Sequence, residues 1–136
     1  MPEQRILAID YGEKRIGLAI SIPGFKMVEP LKTLESKKLW EGLEEVFQQY
    51  DIKTVVVGLP LRTDGKDDKT TTKAREFAKA IQLKFNINVE LWDERYSTVD
   101  VENILKDLGK HPSKEKGNID KYAATLILEE YLASLP

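Results

Sequence analysis

The 136-residue chain contains no cysteine, which rules out disulfides, a thiolate zinc centre and cysteine nucleophilic chemistry. It has no apolar run approaching the ~20 residues of a membrane span. Its N-terminus lacks the pattern of a secretory signal. Neither sign of charge dominates: a net charge of −2 argues against a broadly basic protein that coats nucleic acid. Acidic site residues can nevertheless lower the total while basic loops grip a substrate locally. What remains is an ordinary globular composition, 41% hydrophobic and 32% charged, enough for one domain over residues 1–136 and too little for two lobes. A cytoplasmic location is expected.

Hydrophobic patterning predicts the elements. Arg5 to Asp10 reads as a buried strand, followed by a turn at Tyr11-Gly12-Glu13-Lys14 and a second strand, Ile16 to Ile22, closed by Pro23-Gly24. Met27 to Leu34 reads as a third strand in which Pro30 marks an edge position or a bulge. Leu39, Trp40, Leu43, Val46, Phe47 and Tyr50 fall at helical spacing within residues 36 to 50. Thr54 to Gly58 is uniformly apolar, as a parallel strand covered on both faces should be. A helix carrying Ala74, Phe77, Ala78, Ile81 and Phe85 precedes a strand over 87–92. A further helix is expected from Ser97 to Gly109, and a last one from about Ile119 to Ser134. Three hairpin-connected strands followed by crossovers give an α/β fold, a mixed five-stranded sheet with helices on both faces. In the ribonuclease H-like version of this architecture the first strand is central, and the last helix crosses the sheet.

Three acidic points interrupt this pattern. Asp10 ends the run Ile6-Leu7-Ala8-Ile9, Asp93-Glu94 end the run 87–92, and Asp120 shares a helical stripe with Ala123, Ala124 and Ile127. Carboxylates gathered on a core-facing surface repel one another unless a cation joins them. An all-oxygen set suits a hard divalent ion, above all magnesium. Each acid also has a plainer reading: Asp10 as turn chemistry before Gly12, Asp120 as a helix cap or first-turn residue. Alanines at 123 and 124 would let the helix approach the sheet closely and carry Asp120 towards Asp10. Strand alternation favours Asp93, on the stripe of Ile87, Val89 and Leu91, as the buried member of its pair, but the strand's end leaves the choice with Glu94 open. Arg95 either pairs with a nearby carboxylate or clamps a phosphate. Basic stretches at 62–75 and 110–121 read as solvated or substrate-gripping loops.

These residues carry a resemblance. Ala8-Ile9-Asp10-Tyr11-Gly12, Arg15-Ile16-Gly17-Leu18-Ala19, Val56-Val57-Gly58-Leu59-Pro60-Leu61, Asp93-Glu94-Arg95-Tyr96-Ser97-Thr98 and the segment Ile119 to Leu128 occur in the order seen in the YqgF (RuvX) family. That family comprises Holliday junction resolvase-like nucleases linked to maturation of the 5′ end of 16S ribosomal RNA. The resemblance implies a ribonuclease H-like fold, a magnesium-dependent nuclease and a cytoplasmic location. It also implies that Asp10, Asp93-Glu94 and Asp120 are the catalytic acids, and that Gly58-Leu59-Pro60 form a substrate-side loop. The chain departs from the wider resolvase group: the strand Thr54–Val57 ends in Gly58 rather than an acid, and the last helix starts with one acid rather than two.

The mechanism expected is in-line hydrolysis of a phosphodiester by water oriented on Mg2+, with Mn2+ as a substitute, held by Asp10, Asp120 and one acid of the 93–94 pair. Arg15, Arg62, Arg95 and Lys110 are the candidates for gripping backbone phosphates, and His111 for shuttling a proton. The expected partner is precursor ribosomal RNA or branched DNA, with no membrane and with the chain a monomer or homodimer. Rival readings are a dimeric junction resolvase, a non-catalytic RNA-binding assembly factor, and a sugar-kinase-like phosphotransferase, which would need a second lobe.

Overall fold

A computed structural model describes residues 4–24, 27–59, 69–93 and 116–135, with side chains given from Tyr122 onward in the last segment. The expected helix over 97–109 lies outside the described residues. Strands β1 (Arg5–Asp10), β2 (Arg15–Ile22) and β3 (Met27–Glu35) form an antiparallel meander. A 3-10 turn, Ser36–Lys38, leads into α1 (Leu39–Gln49). Then follow β4 (Ile52–Leu59), α2 (Lys69–Phe85), β5 (Asn88–Asp93) and α3 (Lys116–Ser134). The sheet order is β3-β2-β1-β4-β5, with β4 parallel to both β1 and β5, so β1 is central. Among the described residues, no helix is long and apolar enough to cross a membrane.

Local chemistry explains the corners. Gly24 adopts φ +80, which suits glycine in the turn after β2. Asn86, at φ 50, supplies the left-handed residue that ends α2 just before β5. Along β3 the pairing with β2 slips between Leu18 and Ala19, whose partners are Lys32 and Pro30. The extra residue on β3, Leu31, makes a bulge beside Pro30 on what is also an edge strand, so both readings of that proline hold.

Two different cores cover the two faces. Leu7, Ile9, Leu18, Ile20, Val55 and Val57 point one way, into a cluster with Leu43 and Val46 of α1 and Phe77 and Ile81 of α2. Ile6, Ala8, Ala19 and Val56 point the other way, towards Ala124, Ile127, Leu128, Tyr131 and Leu132 of α3. Alternation along each strand thus sorts every side chain to one helix layer or the other. α3 packs across β1, β2 and β3 and also reaches β4.

Candidate active site

Asp10 continues the alternation Ile6, Ala8, Asp10, so the end of the central strand presents its carboxylate on the α3 face. The residue after it, Tyr11, belongs to the opposite core and packs on Phe77 of α2 with ring centroids 4.9 Å apart. That contact anchors the turn and fixes which way Asp10 faces. Register places Gly17 of β2 on one side of Asp10 and Gly58 of β4 on the other. Continuing the row outward gives Thr33 on β3 and Trp92 on β5. A half-buried carboxylate therefore sits between two residues without side chains, on the face that α3 covers. Arg15 lies two residues beyond Gly17 on the same face, exposed, with its Cα roughly 8 Å from that of Asp10 by strand geometry.

The loop following Asp10 is held from the 3-10 turn that follows β3. Ser36 donates its backbone N–H to the Lys14 carbonyl at 3.0 Å and its hydroxyl to the Glu13 carbonyl at 2.6 Å. At Gly12 a β-carbon would collide with the carbonyl oxygen of Arg15, so glycine is needed there for close approach of the two backbones.

α3 begins at Lys116, three residues before the start expected from the sequence, because Lys116-Gly117-Asn118 carry no apolar periodicity to announce the helix. Asp120 consequently occupies the fifth helical position, past the first turn. That excludes the capping role its sequence context allowed. Ala123 and Ala124, three and four residues on, are buried as the stripe predicted.

One expectation needs correction. Asp93, which strand alternation favoured as the buried member of its pair, is exposed. It shares the stripe of Val89, on the α1/α2 side, while Trp92 belongs to the α3 side. β5 is the last strand in the sheet order, and its stripe is only thinly covered, with Leu91 41% exposed. Glu94, Arg62, Arg95, Lys110, His111 and the side chain of Asp120 lie outside the described residues. Among the described residues no group of three His, Cys, Asp or Glu could hold a metal ion.

Sequence reading missed the clasp between β5 and α3. The Trp92 indole N–H donates to Glu130 Oε2 at 2.8 Å, and the rings of Trp92 and Tyr131 meet edge-on at 5.9 Å. Tyr131 in turn hydrogen-bonds Glu90; burial, followed by that carboxylate, pushes its hydroxyl up to about 12. The aromatic at 92 on the opposite phase from Asp93 was the available signal.

This sheet order, with an acid at the tip of the central strand and a final helix across it, defines a ribonuclease H-like protein. The likeness to RuvC of Thermus thermophilus solved with a Holliday junction substrate has a TM-score of 0.60 at 12% identity, covering 97% of this chain and 95% of that one. The chain belongs to the RuvX family, whose model, described as "Holliday junction resolvase", matches residues 4–134. Relatives from Koribacter versatilis (40% identical, 94% of this chain and 86% of theirs) and Caldicellulosiruptor bescii (41%, 94% and 95%) carry the name "Putative pre-16S rRNA nuclease". One from Maridesulfovibrio salexigens bears the same name at 38% identity, over 95% of this chain and 98% of its own.

Proposed function

We propose that residues 1–136 form one nuclease domain that hydrolyses phosphodiester bonds in precursor 16S ribosomal RNA at its 5′ end, with a divalent metal, Mg2+ or Mn2+, as cofactor. The observation that carries this reading is Asp10, facing α3 from the central strand with Gly17 and Gly58 on either side. The family membership and the names borne by its relatives support the substrate. A cytoplasmic location goes with it.

The donor set suits a hard cation. Asp10 offers only oxygens, and the residues level with it on both neighbouring strands are glycines, which place no side chain beside its carboxylate. Asp10, Asp120 and Glu94 would be the holding residues. Glu94 is preferred over Asp93 because Asp93 lies on the stripe of Val89, away from Asp10. A metal bound there supplies an activated water and charge neutralisation at the phosphodiester. Arg15, on the same face and beyond Gly17, draws a neighbouring phosphate into register, and Arg62, Arg95 and Lys110 extend that grip. Tyr11 on Phe77, with Ser36 behind the turn, keeps the Asp10 carboxylate from swinging away during the reaction.

The test is cleavage of a precursor 16S RNA fragment with Mg2+ or Mn2+ by the parent chain and by Asp10→Asn and Asp120→Asn. Cutting by the parent and loss in both variants is the expected result; variants as fast as the parent would refute the site. A four-way DNA junction run alongside addresses the resolvase reading that the family description favours. Faster cutting of the junction than of the RNA would replace the substrate proposed here.

A further inference from the structure

We infer that Lys14 and Lys37 form a second phosphate-binding subsite, separate from the Asp10 centre, that takes the substrate's backbone several nucleotides away from the bond being cut. The inference rests on the nuclease reading above and adds a binding position to it. A cleft of about 390 Å³ opens at the Asp10 end of the sheet, lined by Glu13, Lys14, Arg15, Glu35, Ser36 and Lys37. Its charges are not evenly opposed. Lys73 Nζ lies 3.4 Å from Glu13 Oε1 and offsets that carboxylate. Arg15 and Glu35 are register partners across the β2–β3 hairpin and bring one charge of each sign to the cleft. Lys14 and Lys37 remain, both exposed and, among the described residues, neither with an ion-pair partner.

The frame behind them is rigid. Ser36 ties the 3-10 turn to the β1–β2 turn by donating to the Glu13 and Lys14 carbonyls, so the two lysines are fixed relative to one another although they come from separate segments. Their distance from Asp10 follows from the sheet. Two strand spacings separate β1 from β3, roughly 10 Å, and three residues separate Thr33, level with Asp10, from Ser36, roughly another 10 Å. The resulting separation of about 14 Å, from Asp10 to the turn at Ser36, corresponds to a few nucleotides along a single strand. Two ammonium groups on flexible stems suit phosphate oxygens as point charges and read no base, so the ligand is the phosphodiester backbone itself.

Binding of fluorescein-labelled single-stranded RNA, a 20-mer and a 4-mer, is to be measured by polarisation across a salt series in the uncleaving Asp10→Asn background. The expected result for Lys14→Gln/Lys37→Gln is about tenfold weaker binding of the 20-mer, with the salt slope reduced by roughly 1.5. The 4-mer, too short to bridge both positions, should lose less than twofold. Lys53→Gln, on an exposed lysine near the start of β4, is the control for general loss of positive charge. An unchanged 20-mer affinity and slope would overturn the inference. So would a 4-mer weakened as much as the 20-mer, or a loss matched by Lys53→Gln. A parent chain that binds the 20-mer through these lysines yet cuts nothing would refute the nuclease reading and leave the subsite standing.

Discussion

The two faces of the sheet are built from different stock. Towards α1 and α2 the strands present Leu7, Ile9, Ile16, Leu18, Ile20, Val55 and Val57, large side chains that interlock with Leu43, Val46, Phe77 and Ile81. Towards α3 they present Ala8 and Ala19 alongside Ile6 and Val56, met by Ala124, Ile127, Leu128 and Tyr131, so small residues make up a larger share of this face. Large residues fill volume and supply the hydrophobic free energy of folding. Small ones give up that energy so that a helix backbone can lie close to a strand. The first face therefore holds the molecule together, and the second sets where the end of the central strand lies relative to α3. Stability and activity should consequently respond to different substitutions.

The largest effect expected is on activity alone. Asp10→Asn should lower cleavage by more than the ~100-fold that loss of an outer-sphere metal partner can cost, since it removes a proposed ligand directly. Its denaturant midpoint should fall much less than that of a core substitution, because the change adds no cavity. A variant that loses activity and unfolds together would break the division between the faces. Next in size is Ile81→Ala on the α1/α2 face, where the side chain is fully buried. Removing it should cost about 2–5 kcal/mol by chemical denaturation while the surviving folded protein keeps its turnover.

Ala124→Leu probes the other face. Ala124 is fully buried against strands that carry alanine at positions 8 and 19. Three added carbons should force α3 outward at about 1–3 kcal/mol of overpacking. The loss of cleavage should exceed what that instability explains, because the helix carrying Asp120 moves away from Asp10. Activity that merely tracks the folded fraction would mean that the small-residue seam does not position the site.

How much of this was legible in the sequence depends on which signal each feature leaves. β1 and β4 announce themselves as short apolar runs, and their central place follows from the meander-then-crossover order. Asp10 was legible as an acid at a strand tip, and Ala123 and Ala124 as a small stripe, because both rest on local periodicity. The face taken by Asp93 was read correctly as that of Val89 and Leu91, but its burial was not. Alternation says which residues share a face and is silent on whether anything covers that face at an edge strand. The start of α3 was missed since Lys116-Gly117-Asn118 are poor helix signals. The Lys14–Lys37 cleft assembles from a turn, a strand end and a 3-10 turn, and no linear pattern joins those three.

The smallest effect expected sits where β5 and α3 meet and reports on the same face through pH. Tyr131 hydrogen-bonds Glu90, and its hydroxyl is raised from 10.0 to about 12 by burial first and that carboxylate second. A group whose folded pKa lies above its unfolded value contributes stability that is complete below the unfolded value and disappears as pH rises through the folded one. The contribution should thus be intact below about pH 10 and fade between pH 10 and 12. Over that window unfolding should take up an extra dependence of at most one proton, released by Tyr131 only in the unfolded chain. Tyr131→Phe should abolish that slope and cost about 1 kcal/mol at neutral pH, because the Glu90 carboxylate it abandons is exposed and can be hydrated. Denaturant titrations at pH 8, 10 and 11.5 on parent and variant measure both quantities. Identical slopes in the two would show that the hydroxyl ionises as easily folded as unfolded, and that this corner of the α3 face is open to water after all.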